Sequence, residues 1–348
     1  MTAKPNNPFT MNIKRLVIEN FKSIERIELI EPNPFTVFVG PNGSGKSNIF
    51  EALEFGNRLS KSGYDYTEAF RLFGGTDLLV RRGEKSSPNF RIAFEYDEEP
   101  WQLEQAFNLL PIEESKVIIN KDDQPRLRYI GEATYTYTVP DDQFLQGFSR
   151  IAIYEKKPRI DFQDGSTLNT AATNLEPVLK RVLSNNLLKE EVFEWLNLFI
   201  SEFKSVDVVT NSFDGSDTLL WYERFTEKPF TKRLISDGTK NILTLLAAVY
   251  QSDEPQFLCI EEPENGLHPQ VMMSLVEFFR KICEEKGHYI WLNTHSEAIV
   301  RKLTTDEIVL VNKINGVTQV KQIKGRNIYD IPTDEAWLTG ALGGGLPW

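Results

Sequence analysis

Cysteine, histidine and methionine are scarce in this 348-residue chain, with two, three and four residues respectively. Two cysteines, Cys259 and Cys283, offer neither a disulfide framework nor the paired spacing of a zinc module, which excludes both. Cys259 lies inside an apolar run and reads as a packing residue. Long apolar runs are lacking too. The longest, residues 242–250, is far too short to cross a bilayer, and the opening MTAKPNNPFTMN has no apolar centre or cleavage pattern of a secretory signal. These absences set the expectation of a cytoplasmic protein without membrane contact. A basic excess is also missing. With 39 Lys and Arg against 50 Asp and Glu, the formal net charge is −11, which argues against a protein that coats DNA irrespective of sequence. Local basic groups at Lys14 and Arg15, at Arg81, Arg82 and Lys85, at Lys156, Lys157 and Arg159, and at Lys180 and Arg181 read as solvated faces. There is no internal repeat and no sustained heptad pattern, so a long coiled-coil arm is excluded.

What remains is a globular composition, 41% hydrophobic and 26% charged. Residues 11–29 read as two short strands with a bend at 20–23, and 36–39 (TVFV) as a buried strand. A helix follows over 47–59. Short alternating pieces, FRIAFEY and TYTYTV, predict antiparallel sheet between 90 and 137. Residues 175–203 read as helix with a break at 184–186, then strands at 206–209 and 218–225. Further helices are expected over 237–250 and 269–285, with strands at 256–260 and 289–293. The pair Asn315–Gly316 between two strand-like runs signals a hairpin. The tail AWLTGALGGGLPW is too glycine-rich for a stable helix. It is read as packing on its own domain or, through Trp337, docking a partner. Strands alternating with helices at both ends predict an α/β fold: a mostly parallel or mixed core sheet with an antiparallel β subdomain and a helical insert.

Four motifs carry chemistry. GPNGSGKS at residues 40–47 follows a buried strand and opens a helix, the context that a phosphate-binding loop requires. Gly40, Pro41, Asn42, Gly43, Ser44 and Gly45 would wrap backbone amides around phosphates at the helix N-terminus, together with Asn48. Lys46 would reach the β- and γ-phosphates of ATP, and the Ser47 hydroxyl would ligate Mg²⁺. FLCIEEPENGLHP at 257–269 ends an apolar strand in two carboxylates, a costly placement unless a cation meets them. Glu261 is assigned to the metal and Glu262 to the attacking water. LISDGTKN at 234–241 opens a helix with Ser236 as N-cap; Ser236, Asp237 and Gly238 form a second candidate phosphate contact. WLNTHS at 291–296 puts His295 directly after a buried strand, at the same sheet edge. His268 and His288 are read as ordinary positions.

In this order the four motifs resemble those of ABC-type P-loop ATPases, in the group of RecF, the structural-maintenance-of-chromosomes (SMC) heads and the OLD (overcoming lysogenization defect) proteins. The opening IENFKSIERIEL resembles the first strands of that group, and SDGTKN and EEPENGLHP resemble the OLD side, including compact ATPases of bacterial anti-phage operons. The resemblance implies one ATPase domain over 1–348. Its parts are an N-terminal lobe with the Walker A loop at 1–95, an inserted β and helical region at 96–233, a lobe at 234–325 and a tail at 326–348; the third part holds the signature at Leu234–Thr239, the Walker B pair Glu261–Glu262, a D-loop at Pro263–His268 and the switch. It also implies head-to-tail homodimers or higher homo-oligomers, with ATP between one subunit's loop and the other's Ser236 and Gly238. His295 would act as the switch histidine. This sequence departs from the pattern in three places. Glu261 stands where many relatives have Asp, Asp237 where transporters have Gly, and no Gln lies between Phe55 and Trp101 for the usual Q-loop. The stretch after His295 is too short for the Toprim nuclease domain of OLD nucleases. The expected role is therefore an ATP-gated switch for a separately encoded effector such as a Toprim-like nuclease, with nucleic acid as a further possible partner. The alternatives are a RecF-like repair ATPase, a transporter's nucleotide-binding subunit and a scaffold that binds ATP without hydrolysing it.

Overall fold

The computed structural model describes residues 13–61, 71–75, 78–79, 81, 89–96, 102–108, 115–121, 124–130, 147–153 and 166–346. The TYTYTV run, the basic groups at 82, 85, 156, 157 and 159, and the last two residues lie outside them.

The strand β3 (Phe35–Val39) is buried at all five positions, so it requires a neighbour on each side and a layer on each face. Its neighbours are β13 (Tyr289–Thr294) and β14 (Ile308–Ile314), both parallel to it. Beyond β13 run β12 (Phe257–Glu261) and β8 (Phe148–Ile151), also parallel, and beyond β14 lies the antiparallel β15 (Val317–Gln322). The resulting six-stranded order is β15-β14-β3-β13-β12-β8.

Alternation along these strands divides the core into two layers. Val37, Val39, Leu258, Ile260, Ile290 and Leu292 face one way; they pack with α4 (Asp237–Tyr250) and α5 (Pro269–Lys286). Phe38, Phe257, Cys259 and Trp291 face the other way, onto α1 (Lys46–Lys61). From Asn241 to Tyr250 every residue of α4 is buried, which marks it as the central helix of its layer. On that side α2 (Leu175–Ser184), α3 (Asn186–Phe199) and a small sheet of β9 (Phe203–Thr210), β10 (Asp217–Glu223) and β11 (Phe230–Thr231) complete the core.

The far side of α1 is covered by a second six-stranded sheet, entirely antiparallel, which begins with β1 (Ile13–Phe21) and β2 (Ile24–Ile30). Next to β1 comes β4 (Asn89–Tyr96), followed by β5 (Gln102–Asn108), β6 (Ser115–Lys121) and β7 (Gln124–Ile130). The first two strands therefore share a sheet with strands on both sides of residue 96. Residues 20–23 do form the predicted bend, with Asn20 and Lys22 in the left-handed region.

The predicted break at 184–186 is a junction of two helices, where the Asn185 side chain accepts from the Leu187 and Leu188 amides and caps the second. The expected helix to 203 ends at Phe199 instead. Phe203 is fully buried against Phe193 and Trp221, and strand geometry places it there. The hairpin at Asn315–Gly316 stands as expected, with both residues at positive φ. The tail needs correction. Its first part is α7 (Thr333–Leu338), short enough to end before the glycines; α6 (Glu297–Val300) lies beside it. Trp337 is buried and donates through Nε1 to the Gly345 carbonyl at 2.9 Å, so it packs on its own domain and is not free to dock a partner.

His288 is almost fully buried, its ring against Gln256 and the Val249 carbonyl. Burial pushes its pKa down to about 4 from an ordinary value of 6.5. The unfolded chain then binds a proton between those two values that the fold refuses, so stability falls as pH drops from 6.5 to about 4, by up to about 3 kcal/mol. Chemical denaturation of a His288→Gln variant across pH 7 to 4.5 should show a shallower loss than the parent protein.

Candidate functional site

The parallel strands β3, β12, β13 and β8 end at one edge, and their C-terminal residues bring the motifs together. The loop after β3 is held from behind. Thr318 on β15, fully buried, donates through its hydroxyl to the Ser44 carbonyl at 3.0 Å, and its amide donates to the Ser23 carbonyl at 2.8 Å. Gly45 has φ +100°, and a Cβ there would lie 2.0 Å from Thr318 Oγ1, so no larger residue fits. The Asn48 side chain donates to Ser23 Oγ at 2.6 Å, which turns it into the fold rather than toward the loop's mouth. Gly43 has open space around it, and Ser44 Oγ is buried without a partner. Lys46 Nζ folds over the loop onto the Gly40 and Pro41 carbonyls at 2.7 and 3.0 Å. Burial lowers the pKa of its amine below the ordinary lysine value, while Glu262, Glu264 and Glu261 act against that shift.

Glu261 and Ser47 meet directly. Ser47 Oγ donates to Glu261 Oε2 at 2.6 Å. The other oxygen, Oε1, takes Nε and Nη2 of Arg150 at 2.6 and 2.5 Å, while Nη1 of the same guanidinium reaches Glu54 at 3.0 Å. A cavity of about 250 Å³ opens here, lined by Ser47, Glu51, Arg150, Ala152, Glu261, Glu262 and Asn265. Arg150 was missed from sequence. Its strand, FSRI, is a short run with no motif, and only pairing with β12 places it at the site.

Glu262 has φ 45°, a left-handed conformation that a β-strand end does not adopt without cause. Its amide donates to both the backbone and the side-chain oxygen of Asn293 at 3.0 Å, and its carboxylate takes the Asn265 amide at 3.1 Å. His295 Nδ1 lies 3.6 Å from Glu262 and 3.8 Å from Glu264. Glu264, within the expected D-loop but given no role of its own from sequence, is buried and accepts from Thr294 Oγ1 at 2.5 Å and from the His295 amide at 3.3 Å. Burial raises its pKa, with those hydrogen bonds opposing.

Ser236, Asp237 and Gly238 are not among the residues that line the cavity. Ser236 does cap α4, accepting from the Thr239 amide at 3.0 Å, and Asp237 is exposed beside Lys240. Gly238 has an intramolecular reason to be glycine: a Cβ there would lie 2.4 Å from the Gly266 carbonyl oxygen. Asn241 adds a second link from α4 to the same loop. It is fully buried, and its amide donates to the carbonyls of Pro263 and Asn265, both at 2.8 Å. The start of α4 is thereby fastened to the loop that follows Glu262. His268 caps α5 by accepting from the Gln270 amide at 3.2 Å.

These residues fit a nucleoside triphosphate with a divalent cation: a glycine loop, a lysine, a hydroxyl and a carboxylate in contact, and a polar cavity beside them. Among the described residues no group of three or more His, Cys, Asp or Glu could hold a metal by itself. A cation here would complete its shell with phosphate oxygens and water, as Mg²⁺ does in nucleotide sites.

Replacing Asn241 by Leu leaves the Pro263 and Asn265 carbonyls without these donors. The expected cost is about 2 kcal/mol in chemical denaturation, together with lower ATP turnover because the Glu262 loop loses its anchor.

Residues 35–301 match the family described as "AAA domain, putative AbiEii toxin, Type IV TA system". An ATP/GTP phosphatase of Helicobacter pylori is 21% identical over 360 residues, covering 92% of this chain and 94% of that protein. The DNA double-strand break repair Rad50 ATPase of Methanosarcina acetivorans is 31% identical over 131 residues, which are 36% of this chain and 11% of that protein. The SMC head domain of Thermotoga maritima has a TM-score of 0.51 at 16% identity, covering 90% of this chain and all of that one. An Smc head bound to the C-winged helix domain of ScpA has a TM-score of 0.56 at 16% identity, covering 92% of this chain and all of that one. These two structures share the α/β head fold with its mixed sheets. Among the described residues no helix is long and apolar enough to cross a membrane. By the match over most of its length the chain belongs to that P-loop family, and it is an ATP-hydrolysing enzyme.

Proposed function

We propose that this chain is an OLD-like ATPase that works as a head-to-tail homodimer, and that the dimer is an ATP-gated switch for a separately encoded effector in anti-phage defence. The observation that supports it most is the division of the motifs. Lys46, Ser47, Glu261, Glu262 and His295 gather at one sheet edge, while Ser236 stands exposed as the cap at the start of α4. Leu234, beside it, is an exposed apolar side chain, suited to being covered by a second copy.

In this reading the loop amides bind the phosphates, and Lys46 leaves its own carbonyls to meet the β- and γ-phosphates. Ser47 and Glu261 would hold Mg²⁺, which when bound would neutralise the phosphate charge. Glu262 orients the attacking water and takes its proton, and its left-handed backbone fixes where the carboxylate points. His295, beside it, contacts the γ-phosphate. Glu264 keeps His295 in place through its backbone amide. The partner's Ser236 and Gly238 then close over the nucleotide.

The effector reading rests on the SDGTKN and EEPENGLHP wording and on the toxin–antitoxin description of the family. A RecF-like repair role is the second reading, favoured by the partial likeness to the Rad50 ATPase. That relative is named for DNA double-strand break repair.

Glu262→Gln should bind ATP as the parent does and lose turnover by about a hundredfold or more. Undiminished hydrolysis would remove Glu262 from its role. Specific activity of the parent protein should rise with protein concentration, because half of each site comes from the second copy. Stimulation of turnover by duplex DNA would favour the repair reading over the effector one.

A further inference from the structure

Arg150 is a buried cation at the centre of the candidate site that no motif contains. We infer that Arg150 is a positioning residue for Glu261, occupying one carboxylate oxygen so that only the other is offered to a divalent cation. The inference rests on the nucleotide-site reading above and adds to it how loosely the cation is held.

Three observations carry it. First, the two oxygens of Glu261 have different partners. Oε1 takes two nitrogens of the guanidinium at 2.6 and 2.5 Å, and Oε2 takes the Ser47 hydroxyl at 2.6 Å. Ser47 and Oε2 are thus the adjacent pair, while Oε1 is turned to the arginine. Second, Arg150 is held where it is. Its Nη1 reaches Glu54 Oε2 at 3.0 Å, and both side chains are 3% exposed. Glu54 Oε1 in turn accepts from Thr170 Oγ1 at 3.1 Å, and the Thr170 carbonyl takes the Ala152 amide at 2.7 Å, just beyond Arg150 on the same chain. The guanidinium therefore ties β8 to α1, the helix after the phosphate loop, as well as to the acidic strand β12. Third, the chemistry is asymmetric. A free carboxylate can give a divalent cation both oxygens and displace its water. With Oε1 occupied, the cation receives one oxygen, keeps more of its water, and feels a positive guanidinium close by.

Loss of the guanidinium should consequently move two quantities in opposite directions. Metal binding should tighten, because Glu261 Oε1 is released and the guanidinium beside it no longer opposes the metal. Turnover should fall, because Glu261 no longer keeps one orientation. An arginine that served the fold alone would lower stability and turnover without tightening metal binding.

The test is Mn²⁺ titration by electron paramagnetic resonance with a non-hydrolysable ATP analogue, on the parent chain, Arg150→Gln and Arg150→Lys, with melting curves and ATP turnover alongside. Expected for Arg150→Gln are Mn²⁺ binding tighter by about fivefold or more, from loss of the opposing charge, and turnover lower by about tenfold or more. Arg150→Lys keeps the charge without the planar fork and should lie between the two. Mn²⁺ affinity that is unchanged or weaker in both folded variants overturns the inference, as does failure of both to fold, which would assign Arg150 to the fold alone. A parent chain with no nucleotide-dependent Mn²⁺ signal would instead overturn the reading of the site itself.

Discussion

A loop that wraps a phosphate must point several backbone amides at one place, and the hydrogen bonds inside it, from Ser44 to Pro41 and from Lys46 to Gly40, are backed from outside. Here the support comes from distant parts of the chain. Thr318 on the last strand of the core sheet holds the Ser44 carbonyl, and Ser23 in the bend between β1 and β2 holds Thr318. On the other flank, a Cβ on Gly40 would come within 2.2 Å of the Val311 carbonyl oxygen. The loop is confined on both sides, and its glycines answer to that confinement as much as to any ligand. The two cores above and below the sheet serve the same end, since α1 continues directly from the loop and is buried between the two sheets.

Around that frame the charges are arranged in sequence. Lys46 sits over the loop, Glu261 meets Ser47, and Glu262 and His295 stand further out. Three acids within one short segment would repel one another. The structure separates them by giving each a different neighbour: Arg150 for Glu261, Asn265 for Glu262, and Thr294 with the His295 amide for Glu264. Asn241 and Gly238 then join the start of α4 to the loop between Glu262 and His268. In a paired arrangement, the surface that would read the partner's nucleotide is thus fastened to the protomer's own glutamate.

Much of this was legible in the linear order of residues. The helix over 237–250 has its predicted bounds, the hairpin turns at Asn315 and Gly316, and Ser236 caps where a serine before an apolar run should. What failed did so for recognisable reasons. Residues 200–203 continue the helical pattern of α3, yet Phe203 is claimed by Trp221 of a neighbouring strand. The glycines near the C-terminus argue against helix, and the turn of helix before them is stabilised by Trp337 reaching Gly345. Arg150 left no local signal, because a four-residue strand with one arginine looks the same at a surface as at a site.

The sequence by itself determined the chemistry of the P-loop and the acidic strand end, because both are contiguous strings whose spacing is set by one turn of backbone. It also determined the alternation of buried strands and helices, since burial of one face imposes a period on the residues that form it. Only the tertiary structure decided which strands lie side by side, and with that, which charges meet. Glu54, Arg150 and Glu261 are 96 and 111 residues apart in the chain, and no periodicity links positions at such separations. They come together because β8 pairs with β12 while α1 crosses the same sheet, and buried charges are tolerated only where such pairing supplies an opposite one.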